Sequence, residues 1–146
     1  MRIVKKVNEV DEKQLTRVDS VSGTFYLKRM VREPAGIITV EDFAPGDTIS
    51  WYFWYSEVHY ITKGKAEITY SQPPYHIKQE TTVVEEGDTY LIYPGDRITW
   101  KVISKEPFRH LCFLMPAPAP ERGARWRAYH AGGGESGHGG KLAGRG

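Results

Sequence analysis

A chain of 146 residues, 40% hydrophobic and 26% charged, has the composition of one ordinary globular domain. A formal charge of +2 is too small for a dedicated nucleic-acid binder, and no stretch approaches the ~18 consecutive apolar residues that would cross a membrane. Cys112 is the sole cysteine, which rules out an intrachain disulfide and a zinc site built on cysteines; with no signal-like apolar run near Met1, a cytoplasmic protein is expected.

In chain order, residues 1–20 read as a charged N-terminal extension with a short helix over Glu9–Val18. From Thr24 the texture changes to short runs rich in β-branched and aromatic residues, and these predict strands near 24–31, 36–43, 47–55, 57–63, 65–71, 81–85, 88–93, 97–103 and 108–115. Turn residues separate them: Pro34-Ala35-Gly36, Pro45-Gly46-Asp47, Lys63-Gly64-Lys65, Pro73-Pro74, Glu86-Gly87-Asp88 and Pro94-Gly95-Asp96. Many short strands with no room for crossover helices mean an all-β antiparallel sandwich or barrel, over residues 21–116. Residues 117–130 read as a proline-rich linker followed by a docking segment with Trp126 and Tyr129, and 131–146 as a disordered glycine-rich tail. The charge is uneven too. Five basic residues against two acidic ones give 117–146 a charge of +3, so residues 1–116 carry −1.

The stretch Trp51–Thr62 is the most informative. Read as one strand, its alternation puts Trp51, Phe53, Tyr55, Glu57, His59 and Ile61 on one face. Its other face is aromatic as well, so the strand is expected to be covered on both sides, one lining a barrel and one meeting a second sheet or a partner subunit; a homodimer is expected. Glu57 and His59 then point into an aromatic space, where a carboxyl must be neutral, hydrogen-bonded or bound to a cation. Alternatively, both are satisfied packing residues. His76, in Pro73-Pro74-Tyr75-His76, reads as a solvated loop residue. Arg109 is a surface charge or a carboxylate-binding residue, and Trp51, Phe53, Tyr55 and Trp100 are core aromatics or walls for a small ligand.

Gly46, Glu57 and Gly64, then Gly87-Asp88 and Pro94-Gly95, hold the frame of the two motifs of a single-domain cupin, an RmlC-like jelly-roll β-barrel, which the chain resembles over about residues 37–116. Glu57 occupies the metal-glutamate slot, but the histidine slots hold Trp51, Phe53 and Ile98, so the resemblance does not imply the standard three-histidine dioxygenase site. Trp51-Tyr52, Glu57, Gly87-Asp88, Trp100-Lys101-Val102 and Pro107-Phe108-Arg109 are similar to the EutQ-like ethanolamine-utilization cupins. Trp51-Tyr52, Glu57, Tyr90 and the closing stretch 110–116 resemble ectoine synthase, a metal-dependent lyase. That second resemblance implies one weakly held divalent metal (iron, zinc, manganese or nickel) on Glu57 and Tyr90, with His59 or His110 available to complete the set. Together they imply a lyase- or isomerase-type enzyme acting on a small polar or carboxylate-bearing metabolite. Glu57, Tyr90 and His59 would be its catalytic residues, and Trp51, Phe53, Tyr55, Trp100, Arg109 and His110 its ligand contacts. The alternative is a non-catalytic ligand-binding or assembly-accessory cupin.

Overall fold

The computed structural model describes residues 7–20 and 22–115. The linker and docking segment expected at 117–130 and the tail at 131–146 lie outside the described residues. Ten strands form among the described residues: β1 (Thr16–Ser20), β2 (Gly23–Glu33), β3 (Gly36–Phe43), β4 (Thr48–Tyr52), β5 (Ser56–Lys63), β6 (Lys65–Ser71), β7 (Gln79–Glu85), β8 (Thr89–Ile92), β9 (Arg97–Val102) and β10 (Phe108–Met115). Among the described residues, no helix is long and apolar enough to cross a membrane.

The strands make two antiparallel sheets, ordered β1-β2-β3-β10-β5-β8 and β4-β9-β6-β7, that face each other as a jelly roll. Between them lies a core in which Phe43, Phe53, Trp100 and Phe108 pack with Ile49, Ile61, Ile68 and Ile92. An edge-on ring contact, Phe43 to Trp100 at 5.5 Å, joins the sheets, and Phe53, in the crossover between them, packs edge-on to Trp100 at 5.9 Å. The turn glycines do what their spacing predicted. Gly46, Gly64, Gly87 and Gly95 all have positive φ, and a Cβ on Gly64 would sit 2.5 Å from the Pro107 carbonyl oxygen.

Two expectations differ from the fold. Instead of a helix over Glu9–Val18, the chain makes two three-residue 3-10 turns, Val7–Glu9 and Glu12–Gln14, and then β1, which pairs along β2 from Thr16↔Leu27 to Ser20↔Gly23. Alternating Val18 with polar neighbours suits a strand at the sheet edge, and pairing overrides a weak helical pattern. The stretch 51–62 is also two strands, since the chain leaves sheet geometry at 53–55 and crosses from β4 in one sheet to β5 in the other.

Arg109 clasps the outside of the large sheet. Its Nε and Nη2 donate to the two carboxylate oxygens of Asp42 across the strand pair, both at 2.6 Å, and its Nη1 donates to the Val10 carbonyl at 2.9 Å. With both side chains nearly buried, removing one partner strands the other charge. Arg109→Ala is therefore expected to lower stability by about 3 kcal/mol in urea denaturation. Arg109→Lys should restore only part of this, because an ammonium cannot reproduce the two-pronged contact.

Candidate functional site

The interior face of the large sheet carries a polar row. Side chains alternate along each strand, so β5 turns Glu57 and His59 inward, β10 turns His110 and Cys112 inward, and β3 contributes Thr39 and Glu41. Cross-strand pairing sets their neighbours: Cys112 lies opposite both His59 and Thr39, His110 opposite Glu41, and Tyr90 of β8 opposite His59. His59, His110, Thr39 and Cys112 are buried, and Glu57 is only 9% exposed.

These groups hold one another in a connected set. Trp100 Nε1–H, reaching over from the small sheet, donates to the Tyr90 hydroxyl at 2.9 Å. That hydroxyl is 3.1 Å from His59 Nδ1, and His59 Nε2 is 3.1 Å from Glu57 Oε2. Burial pushes the Glu57 carboxyl up to about 8, and the charge of Glu41 adds to the rise. Burial holds His59 well below the usual histidine range, with the neighbouring His110 acting the same way, so the Glu57–His59 contact is a hydrogen bond between neutral groups. Burial also drives the Tyr90 hydroxyl and the Cys112 thiol well above their ordinary ranges.

A cavity of about 330 Å³ opens over this row, walled by Trp51, Phe53, Trp54, Tyr55 and Trp100, floored by Glu57, His59, Thr39 and Glu41, with Arg29 among its lining residues. The structure thus brings Glu57, His59, Trp51, Phe53, Tyr55 and Trp100 together as the sequence suggested. Phe53 is buried, while Trp51 and Tyr55 are about half exposed at the rim because the chain bends between β4 and β5. Three expected site residues stand elsewhere. Tyr90 lies behind His59 and does not line this cavity. His110 is fully buried, its ring stacked 4.7 Å from that of His59 and its Nε2 3.4 Å from Glu41 Oε2, with no well-formed hydrogen bond to either nitrogen among the described residues. Arg109 points to the outer face, where Asp42 and Val10 occupy its guanidinium. His76 accompanies a separate concavity on the small sheet, bonded to Ser71 at 3.0 Å.

Glu41 was not visible from the sequence. Residues 37–43 alternate polar and apolar on both faces (Thr39 and Glu41 against Val40 and Asp42), so periodicity cannot choose which face is inside; only the pairing of Glu41 with His110 decides it. Cys112 looked like a small buried hydrophobe, yet its sulfur and ring nitrogens of His59 and His110 lie within 4.8 Å of one another. This is the one such donor cluster among the described residues. As placed it does not suit an ion. The imidazole planes are 13° apart and stacked, so their in-plane lone pairs run side by side instead of converging, and both His59 nitrogens already have partners. Glu57 and Tyr90 are not placed as a metal pair either, because the His59 ring stands between them, bonded to both.

No family model matches the chain, and no curated protein matches it. Solved structures do. EutQ from Clostridium difficile is 20% identical, with a TM-score of 0.55 over 76% of this chain and 82% of that one. The cupin domain of Cnp3 from Schizosaccharomyces pombe is 14% identical, with a TM-score of 0.61 over 90% and 82%. A predicted oxalate decarboxylase from Thermotoga maritima is 11% identical, with a TM-score of 0.62 over 80% and 100%. The architecture is that of a cupin.

Glu57 gives the fold a testable pH signature. Its midpoint of about 8 lies above the ordinary 4.5, so folding loses stability as pH rises through that interval. His59 is kept neutral, so folding loses stability as pH falls below its ordinary 6.5. The two slopes oppose each other below 6.5, and above it the Glu57 slope stands alone. Urea denaturation is expected to show about 2 kcal/mol lost between pH 6.5 and 8.5, a loss that Glu57→Gln abolishes.

Proposed function

Taking the cupin barrel as scaffold, we propose that the chain is a small-molecule enzyme of the lyase or isomerase kind, with Glu57 as the acid that acts on a small hydroxy or oxo acid. The observation that carries this reading is a carboxyl group kept protonated up to about 8 on the floor of an aromatic-walled cavity, with a second carboxyl, Glu41, on the same floor. Two such groups in one pocket supply the two halves of an elimination. Glu57 gives its proton to a departing hydroxyl, the C–O bond breaks, and water leaves. The Glu41 carboxylate takes the proton from the adjacent carbon, and the C–H electron pair becomes the new double bond. In an isomerisation the same two groups remove and return a proton. Arg29 offers the cationic partner for a substrate carboxylate, which the negative floor would repel. No step passes through a metal.

The non-catalytic binding alternative has its own support in the half-exposed Trp51 and Tyr55 and in Trp54, which line the same cavity and can grip a ligand whatever its chemistry. A homodimer is part of the proposal, supported by Tyr60 of β5 and Leu91 of β8, exposed on adjacent strands. A cytoplasmic location is supported by the free, buried Cys112.

Proton–deuterium exchange in D₂O, followed by proton NMR on a panel of short-chain hydroxy and oxo acids, tests the enzyme reading. Wild-type protein is expected to exchange the carbon-bound proton of at least one member, and Glu57→Gln and Glu41→Gln to slow this at least ~100-fold. If no member exchanges while one still raises the melting temperature, the barrel is a binding module.

A further inference from the structure

The set running from Trp100 to Glu57 is a chain of hydrogen bonds with a direction, and its direction is decided at one end. An indole N–H can only donate. Trp100 therefore places its hydrogen on the Tyr90 oxygen and can accept nothing back. Tyr90 then has its own hydrogen to place, and the only other group bonded to its oxygen among the described residues is His59 Nδ1. If Nδ1 carried a hydrogen, the Tyr90 oxygen would accept twice and its hydroxyl hydrogen would be left in the interior without an acceptor. Buried donors are rarely left so. With Tyr90 donating to Nδ1, the neutral ring must carry its hydrogen on Nε2, where Glu57 Oε2 is waiting 3.1 Å away. Every hydrogen from Trp100 to His59 then has a partner.

The consequence falls on Glu57. A carboxylic acid accepts best at its carbonyl oxygen and donates from its hydroxyl oxygen. Because His59 always arrives at Oε2 as a donor, Oε2 is the carbonyl side and the acid proton belongs on Oε1. We infer that Trp100 and Tyr90 are positioning residues that lock His59 in the Nε2–H form, so that Glu57 carries its transferable proton on Oε1, the oxygen left free by His59. The set is a lock and not a conduit, since a proton cannot pass beyond an indole that does not accept one. The assignment of Oε1 as the delivering oxygen rests on the acid/base reading above; the tautomer itself does not.

Nitrogen-15 NMR of histidine-labelled protein at neutral pH reads the tautomer directly. Wild type is expected to show His59 with Nε2 protonated and Nδ1 bare, which needs no variant to fold. In Tyr90→Phe nothing holds Nδ1, the Glu57 hydroxyl can turn to donate to Nε2, and the Nδ1–H form is expected to appear. The Glu57 titration midpoint, read from its carboxyl carbon-13 shift, should rise further in the same variant; a residue that only filled space would move neither signal. A wild-type ring protonated on Nδ1 overturns the inference, as does a Tyr90→Phe ring that stays wholly Nε2–H. Because both signals are read without substrate, a silent exchange assay counts against the proposed reaction and leaves the lock standing.

Discussion

A carboxyl group kept out of water must be compensated, and the interior of this barrel is arranged around that requirement at Glu57. Solvation normally keeps such a group ionised; here burial and the nearby Glu41 charge make the neutral form the cheaper one. Its neighbours follow from that choice. A charged histidine beside it would have drawn it back to the carboxylate, and His59 is instead neutral and wedged between Tyr90 and Glu57. Phe43, Phe53, Trp100 and the core isoleucines pack around this polar row and keep the local dielectric low. No buried lysine or arginine is found among the described core residues to undo the effect.

Much of this was legible in the chain because two periodicities are simple. Glycines at the turns mark where strands must end, and positive φ at Gly46, Gly64, Gly87 and Gly95 is why those positions are glycine. Alternation within β5 placed Glu57, His59 and Ile61 on one face, and the structure agrees. Pairing between distant strands was not legible. Glu41 enters the site only because β10 lies between β3 and β5, and Arg109 leaves it only because Asp42 stands directly opposite on the outer face. A local pattern gives the face of a residue relative to its neighbours in sequence, whereas which face is inside depends on partners many residues away.

The same distinction separates fold from site. The jelly-roll frame is set by turn glycines and core positions, which leave the inward polar side chains free to differ. The inner wall carries His59, His110 and Cys112, whose ring and sulfur atoms cluster without converging. A barrel of this kind is a rigid frame on which the interior chemistry can be rewritten strand by strand.

The order of strands in the large sheet also bears on how the protein is made. β10 ends the described chain, yet it sits in the middle of its sheet, between β3 and β5. During synthesis β3 and β5 therefore emerge with open edges and wait for the last strand, as does the Val10 carbonyl, whose guanidinium partner is 99 residues away in sequence. Until that strand arrives there is no inner wall and no buried carboxyl, only two unfinished sheet halves able to pair with other chains. The interval between the emergence of β5 and the docking of β10 is the period in which a nascent chain is most exposed to misassembly, and it lengthens with every residue placed between them.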